Sequence, residues 1–192
     1  MNVLISGGCK NGKSIYAQQT ARSLAAEGTL YYIATMIPRD EEDHARIARH
    51  LAERDGWGFI TIEQGRNIAA LIEREDVDLS GSFLLDSVTA VLENEMFPVA
   101  LKEGKAVFLG EDADAPKRVS AELVAFAEAV REAGGSAVFV SDGIYGDSFG
   151  YSDATENYRK ALAAADRALA NVCDKVTEVT YGITEEIGRA HV

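Results

Sequence analysis

The chain has 192 residues, the usual length of one domain, and 47% of them are hydrophobic, which is enough for a core of normal proportions. Its 31 acidic residues outnumber the 19 basic ones, and the formal net charge of −12 argues against nucleic acid or an anionic membrane surface as a partner. No apolar run is long enough to span a bilayer, the residues before the first strand show neither a basic nor an apolar leader pattern, and two cysteines are too few for a disulfide framework or a zinc site. These properties predict one domain over residues 1–192 and a cytoplasmic location.

Strand and helix signals alternate along the chain. Apolar runs followed by polar or turn residues predict strands, and segments rich in helix formers predict helices. The predicted strands cover residues 3–5, 29–35, 59–62, 82–86, 136–140 and 175–181, and the predicted helices cover 15–24, a segment from about Asp40, 117–133 and 155–172. This order predicts an α/β fold of the phosphate-loop NTPase type, in which helices cover both faces of a mainly parallel sheet in three layers. Ligands are expected at the carboxyl ends of the strands.

Residues 97–116 form the least regular segment of the sequence. Their acidic part, residues 110–114, is typical of an exposed loop. A loop of this kind is either a mobile insertion or a lid that closes over a site, and the pattern favours the insertion.

Residues 7–14 carry the most informative motif, Gly-Gly-Cys-Lys-Asn-Gly-Lys-Ser, which fits the phosphate-loop pattern between a strand and a helix. In such a loop, successive backbone N–H groups and the positive end of the helix surround phosphate groups. A glycine-rich turn without a ligand is the weaker alternative. Lys13 is expected to reach the β- and γ-phosphates of a nucleotide, and the hydroxyl of Ser14 to bind Mg²⁺. The predicted nucleotide-binding residues of the loop are Gly7, Gly8, Cys9, Lys10, Asn11, Gly12, Lys13 and Ser14.

Asp86 ends the predicted fourth strand, where a phosphate-loop fold normally places its second metal-binding acid. Mg²⁺ prefers hard oxygen ligands and keeps several waters, so one carboxylate and one hydroxyl suffice beside the phosphates. We therefore predict Ser14 and Asp86 as metal ligands, and Lys13 and Asp86 as catalytic residues. Asp86 can also cap the following helix through N–H groups two or three residues on, and the two roles are compatible.

A histidine lies between two arginines on the helix that begins near Asp40. Arg46, His50 and Arg54 follow at four-residue steps and therefore share one face of the helix. Nearby positive charge disfavours the imidazolium form, and guanidinium groups bind polyphosphate, so the pattern predicts that His50 attacks a phosphate. The alternative is a solvated helix face whose arginines pair with neighbouring acids.

The other positions of this helix carry further predictions. Ile47, Ala48 and Leu51 form an adjoining apolar stripe that is predicted to pack on the sheet. His44 lies on a different stripe, and His191 lies in a short polar tail. Both are predicted to be incidental.

In these residues, the chain resembles the bifunctional family of adenosylcobinamide kinases and adenosylcobinamide-phosphate guanylyltransferases of cobalamin biosynthesis. The resemblance covers the first half of the chain most closely. It is more specific than a phosphate loop alone because several further motifs carry it. They are Tyr32-Ile33-Ala34-Thr35, Arg46-Ile47-x-x-His50 followed by Arg54, Trp57 and Glu63, and Asp86-Ser87-x-Thr89 with Asn94.

The resemblance implies an enzyme with two activities. A kinase activity phosphorylates the aminopropanol hydroxyl of adenosylcobinamide. The histidine at the position of His50 then attacks the α-phosphate of GTP, pyrophosphate leaves, and the guanylyl group passes to adenosylcobinamide phosphate. The resemblance further implies Mg²⁺, ATP as a second nucleotide, a corrinoid partner and a homo-oligomer, a trimer. Trp57 either contacts the nucleotide or belongs to the core, and the remaining implied nucleotide-binding residues are Thr35, Arg46, Arg54 and Glu63.

The second half departs from the family pattern. Where the family has an Asn-Glu-Val-Gly segment, residues 141–146 read Ser-Asp-Gly-Ile-Tyr-Gly, so Gly143 replaces the glutamate and Asp142 can take over a polar role. Lys160 replaces the acid of a later Phe-Arg-Asp helix. These changes leave three alternatives open: a single surviving activity, a small-molecule kinase without a covalent histidine, and a nucleotide-binding regulatory or assembly protein without turnover.

Overall fold

The computed structural model of the chain describes residues 1–102, 105–146 and 149–187, with the backbone alone at residues 46, 50, 53, 101, 102, 105 and 106. His191, predicted to be incidental, lies outside these residues. Within the described ranges, no helix is both long enough and apolar enough to cross a bilayer.

Strands and helices alternate over most of the described chain. The strands are β1 (Asn2–Gly7), β2 (Leu30–Ala34), β3 (Ile60–Glu63), β4 (Ser82–Asp86), β5 (Val99–Lys102), β6 (Lys105–Phe108), β7 (Ser136–Asp142), β8 (Lys175–Thr180) and β9 (Ile183–Ile187). The helices are α1 (Lys13–Ala25), α2 (Glu41–Glu53), α3 (Val88–Met96), α4 (Ala115–Glu132) and α5 (Asp153–Val172), with a 3-10 helix at Ile68–Glu73.

Seven strands form one sheet in the order β3-β2-β4-β7-β1-β8-β9. All neighbouring pairs are parallel except β8 and β9, which form an antiparallel edge. Helix α1 packs on one face, where Ala17 and Ala21 are completely buried, and α3, α4 and α5 cover the other, where Phe126 and Leu162 are completely buried. This arrangement confirms the predicted α/β fold, and cover on both faces explains why the central strands are continuous apolar runs.

The strand order decides which side chains meet at the carboxyl end of the sheet. Strand β7 lies between β1 and β4, so it separates the phosphate loop from Asp86. Gly7 at the end of β1 is in register with Asp142 at the end of β7, and Asp86 is in register with Val140 and Ala34. Asp142 is therefore the nearer of the two carboxylates to the phosphate loop.

The structure also differs from the sequence predictions in two segments. Residues 97–116 contain the antiparallel hairpin of β5 and β6, whose strands of four residues each are too short to give a clear pattern. The apolar stripe of α2 was predicted wrongly: Ala48 and Leu51 are exposed, and Ile47 is half-buried in the wall of a cavity. Helix α2 borders that cavity instead of lying flat on the strands.

Candidate nucleotide-binding site

A cavity of about 990 Å³ opens at the carboxyl ends of β1, β2, β4 and β7. Most of the predicted site residues line it, although they come from separate parts of the chain: Cys9, Lys10, Asn11, Gly12, Lys13, Ser14, Thr35, Arg54, Glu63 and Asp86. Gly7 and Gly8 precede these residues in the same loop. The side chains of Arg46 and His50 lie outside the described part of the chain, and their backbone belongs to α2.

The phosphate loop turns sharply from β1 into α1. Gly7, Lys10 and Gly12 have φ angles of 154°, 57° and 88°, a conformation that glycine adopts most readily. Gly12 directly precedes α1 and has no side chain that could cap the first N–H groups of the helix. Because Gly12 and the first residues of α1 line the cavity, the positive end of this helix is available to an anion there.

Lys13 is buried at the base of the cavity, with only 7% of its side chain exposed. Its Nζ donates to the carbonyl oxygen of Gly8 at 2.7 Å and lies 2.8 Å from Oδ1 of Asp142. An ammonium group has three N–H donors, so these two contacts leave one donor for a phosphate oxygen. Lys13 is therefore held at the base of the cavity, and its contact with a phosphate stays a prediction.

Asp86 faces the same cavity from the end of β4. Tyr32 donates its hydroxyl to Oδ2 of Asp86 at 3.1 Å, which orients the carboxylate. The helix that follows is capped by Ser87, whose Oγ accepts from the backbone N–H of Ala90 at 3.3 Å, so the capping role proposed for Asp86 belongs to its neighbour. Ser14 and Asp86 both line the cavity, and their hydroxyl and carboxylate oxygens fit the ligand chemistry of Mg²⁺.

Thr35 connects the end of β2 to the start of α3. Its hydroxyl donates to the carbonyl oxygen of Ser87 at 3.1 Å and accepts from the backbone N–H of Ser87 at 2.6 Å. Asn94 donates its side-chain amide to the carbonyl oxygen of Thr35 at 2.8 Å. Two residues of the family motifs thus hold the cavity wall together, and direct contact of Thr35 with a nucleotide stays a prediction.

Arg54 is buried in the cavity wall at the end of α2, where it is 7% exposed. Its guanidinium lies 3.6 Å from the centre of the Tyr32 ring, a cation–π contact, and the same tyrosine donates to Asp86. Its Nε has no hydrogen-bond partner among the described residues. A buried donor without a partner is unusual, so Arg54 suits an anionic ligand.

Two further predicted residues lie at the edges of the site. Glu63, at the end of β3, is exposed in the cavity wall. Trp57 is half-buried, and the guanidinium of Arg22 in α1 lies 5.8 Å from its ring centre. His44 lines the cavity from α2, although the sequence indicated an incidental residue.

Asp142 is the member of the site that sequence analysis identified least clearly. Its carboxylate is paired with Lys13, and its backbone N–H donates to Oγ1 of Thr89 at 3.0 Å. The signal was present, because Asp142 ends an apolar strand just as Asp86 does. Thr89 of the Asp86-Ser87-x-Thr89 motif thereby gains a structural role that its spacing alone did not reveal.

A comparison with protein families gives the family of the chain. The family model described as cobinamide kinase / cobinamide phosphate guanyltransferase matches residues 3–187. The chain belongs to this family. The match includes the divergent second half, so the family assignment extends beyond the motifs of the phosphate loop. No curated protein gives a significant match to the sequence.

Two solved structures are similar to this chain in their backbone fold. A KaiC-like protein from the hyperthermophilic archaeon Pyrococcus horikoshii OT3 has a TM-score of 0.48 and 15% identity, over 92% of this chain and 69% of that one. The flagellar accessory protein FlaH from Methanocaldococcus jannaschii has a TM-score of 0.49 and 9% identity, over 96% of this chain and 75% of that one.

A partly buried polar cluster of Ser141, Tyr145 and Asp166 lies next to Asp142. Asp166 of α5 accepts hydrogen bonds at Oδ2 from the hydroxyls of Ser141, at 2.9 Å, and Tyr145. Its Oδ1 is buried without a partner among the described residues. Burial raises the pKa of Asp166 despite the two hydrogen bonds, and burial together with Asp166 raises the pKa of Tyr145.

The Asp166→Asn variant is expected to gain stability relative to the wild type as the pH rises above about 4, where an unfolded aspartate loses its proton. A carboxyl whose native pKa is raised binds more protons in the native state, so its contribution to the free energy of unfolding falls as pH rises. Urea unfolding of both proteins at several pH values measures the difference. The exposed Asp112, whose pKa is lowered by Arg118, is the control, because Asp112→Asn is expected to show the opposite sign. If the free energy of unfolding of Asp166→Asn differed from that of the wild type by the same amount at every pH, the prediction would be contradicted.

Proposed function

We propose that this protein phosphorylates adenosylcobinamide and transfers a guanylyl group from GTP to the product through His50, in cobalamin biosynthesis. The family match over residues 3–187 is the observation that supports this proposal most directly. The cavity adds support, because it combines a phosphate loop, the buried cation Lys13 and the carboxylates of Asp86 and Asp142.

In this proposal the phosphate loop binds the triphosphate in both activities. The third N–H of Lys13 and the N–H groups at the start of α1 contact the phosphates. Ser14 and Asp86 would hold Mg²⁺, which neutralises charge on the phosphates when bound. Arg54, stacked on Tyr32, supplies a further positive charge to the nucleotide in the same cavity.

In the guanylyl transfer, helix α2 would supply the nucleophile, His50. A ring nitrogen of His50 forms a bond to the α-phosphorus of GTP, and the bond to the pyrophosphate oxygen breaks. A phosphate oxygen of adenosylcobinamide phosphate then attacks the same phosphorus and releases the histidine. Covalent catalysis divides one transfer between two anions into two steps, and positive charges from Lys13, Arg46 and Arg54 would stabilise both.

The remaining parts of the proposal follow the resemblance. The substrates are GTP, with ATP as a second phosphate donor, and a corrinoid, and the protein acts in the cytoplasm as a homotrimer. Nucleic acid is not a proposed partner, since the net charge of −12 repels polyanions. Sedimentation velocity measures the oligomeric state directly.

The histidine mechanism predicts a covalent label on the protein. Incubation with Mg²⁺ and GTP labelled at the α-phosphate should give the wild type an acid-labile, alkali-stable label, as expected for a phosphoramidate. His50→Ala should abolish the label, whereas His44→Ala should retain it. His44 is the matched comparison because it belongs to the same helix and lines the cavity.

Other outcomes would each reject part of the proposal. Loss of the label in His44→Ala alone would assign the nucleophile to His44. No label on a wild type that binds GTP would reject the covalent route and favour the kinase or the regulatory binding protein. Phosphorylation of adenosylcobinamide would then separate those two, because only the kinase forms a product.

A further inference from the structure

Asp142 lies where an acceptor would approach the end of a bound triphosphate. Strand β7 is hydrogen-bonded to β1, and Asp142 is in register with Gly7. Neighbouring strands are about 4.8 Å apart, so β4, with Asp86, is about twice as far from the phosphate loop as β7. The two carboxylates therefore face the same cavity at different distances from the loop.

The contacts of Asp142 fix both its backbone and its carboxylate. The backbone N–H donates to Thr89 Oγ1 at 3.0 Å, and the next residue, Gly143, donates its N–H to the carbonyl oxygen of Gly7 at 3.1 Å. The carboxylate lies 2.8 Å from Lys13 Nζ, yet 35% of the side chain is exposed. Asp142 therefore has a fixed position, and its carboxylate is still accessible to a ligand in the cavity.

The pairing with Lys13 sets the distance between Asp142 and a phosphate. Two acceptors on one tetrahedral ammonium group lie about 4.5 Å apart. A phosphate oxygen on the third N–H of Lys13 would therefore be about that far from the Asp142 carboxylate. A hydroxyl group beside this pair can donate a hydrogen bond to the carboxylate while its oxygen faces the phosphorus.

A carboxylate beside a triphosphate also creates electrostatic repulsion. Asp142 is close enough to weaken nucleotide binding, because like charges a few ångströms apart repel even when partly screened. Asp142 helps to hold Lys13, but the carbonyl oxygen of Gly8 already accepts from the same Nζ, so this contact does not by itself explain a charge that repels the nucleotide. Acceptance of a proton from the attacking group gives a reason for that charge.

We infer that Asp142 is the general base of the phosphoryl transfer to the acceptor hydroxyl. The hydroxyl oxygen forms a bond to the γ-phosphorus of ATP, the bond between the γ-phosphorus and the β,γ-bridging oxygen breaks, and ADP leaves. The proton of the hydroxyl passes to the carboxylate of Asp142 and then to solvent through the open cavity. The inference rests on the proposed kinase activity and assigns no part of the guanylyl transfer to Asp142.

The test compares Asp142→Asn with the wild type in three measurements on the full chain. These are the phosphorylation of adenosylcobinamide by Mg²⁺ and γ-labelled ATP, the Kd for MgATP, and the covalent label from α-labelled GTP. We expect kcat for phosphorylation to fall about 10²- to 10⁴-fold, the range for a lost general base. The Kd should stay equal or decrease, because a negative charge is removed, and the label from GTP should persist.

Asp112→Asn is the matched control for this substitution. Asp112 is paired with Arg118 at 3.0 Å, and 37% of its side chain is exposed, close to the values for Asp142. It belongs to the loop before α4 and has no part in the proposed chemistry. The same chemical change there should leave all three measurements unchanged.

Each remaining outcome is decisive. An unchanged kcat in Asp142→Asn would overturn the inference, and so would a raised Kd with equal loss of both activities, which indicates a role in the phosphate site. If Asp142→Asn does not fold, Asp142→Ser also removes the carboxylate, and an unchanged kcat there would likewise overturn the inference. A wild type that gains label from GTP but does not phosphorylate adenosylcobinamide would reject the kinase activity itself.

Discussion

Replacement of Lys13 by alanine should lower kcat/KM for nucleotide about 10²- to 10³-fold, the loss expected when a buried donor to the reacting phosphates is removed. Lys13 is almost completely buried, and Gly8 and Asp142 hold its Nζ in place. Little conformational entropy is therefore lost when it contacts a phosphate. The variant also leaves the Asp142 carboxylate beside the triphosphate without its counter-ion.

The double variant Lys13→Ala, Asp142→Asn separates these two effects. Titration calorimetry with MgATP should show that the second substitution recovers part of the lost affinity, because it removes the repulsion that Lys13 had neutralised. Lys117→Ala is the control, since Lys117 is exposed in the first turn of α4 and does not line the cavity. An exposed charge contributes less than about 1 kcal/mol, so the Kd of that control should change less than about fivefold. Equal Kd values for Lys13→Ala and the wild type would reject the phosphate role of Lys13.

Most of the sheet was predictable from sequence because its strands are buried on both faces. The runs around Ile5, Leu84 and Phe139 are continuous and apolar, and each gives a strand at the predicted place. The phosphate loop was predictable for a different reason. A sharp turn at Gly7 and Gly12 before a buried lysine needs those residue types at those positions.

The relation between Lys13 and Asp142 was beyond sequence analysis because it depends on strand order. The two residues are far apart in the chain, and they meet only because β7 lies between β1 and β4. The packing of α2 was mispredicted for a related reason. Its apolar positions suggested contact with the sheet, but the helix lies beside the cavity, and Leu51 is 47% exposed. Periodicity identifies the apolar face of a helix but not the surface that the face meets.

The adjacent glycines of the phosphate loop are expected to respond very differently to alanine. A Cβ on Gly7 would lie 2.2 Å from the carbonyl oxygen of Val179 in β8, and the φ of 154° disfavours any side chain. A Cβ on Gly8 would lie 3.0 Å from Nδ2 of Asn11, the far end of a side chain. Because the Val179 oxygen belongs to a strand of the central sheet, relief of the first contact requires β1 and β8 to move apart.

We therefore expect Gly7→Ala to destabilise the protein by about 2–5 kcal/mol through overpacking and backbone strain together. For a domain of this size the midpoint of thermal unfolding should fall by roughly 5–15 °C, whereas Gly8→Ala should lower it by no more than a few degrees. Thermal unfolding followed by circular dichroism measures both changes, and MgATP binding by the folded fraction measures the effect on the loop. Equal effects at the two positions would show that the loop adapts to a side chain at Gly7. That result would contradict the fixed placement of the loop against β8, on which the position of Lys13 depends.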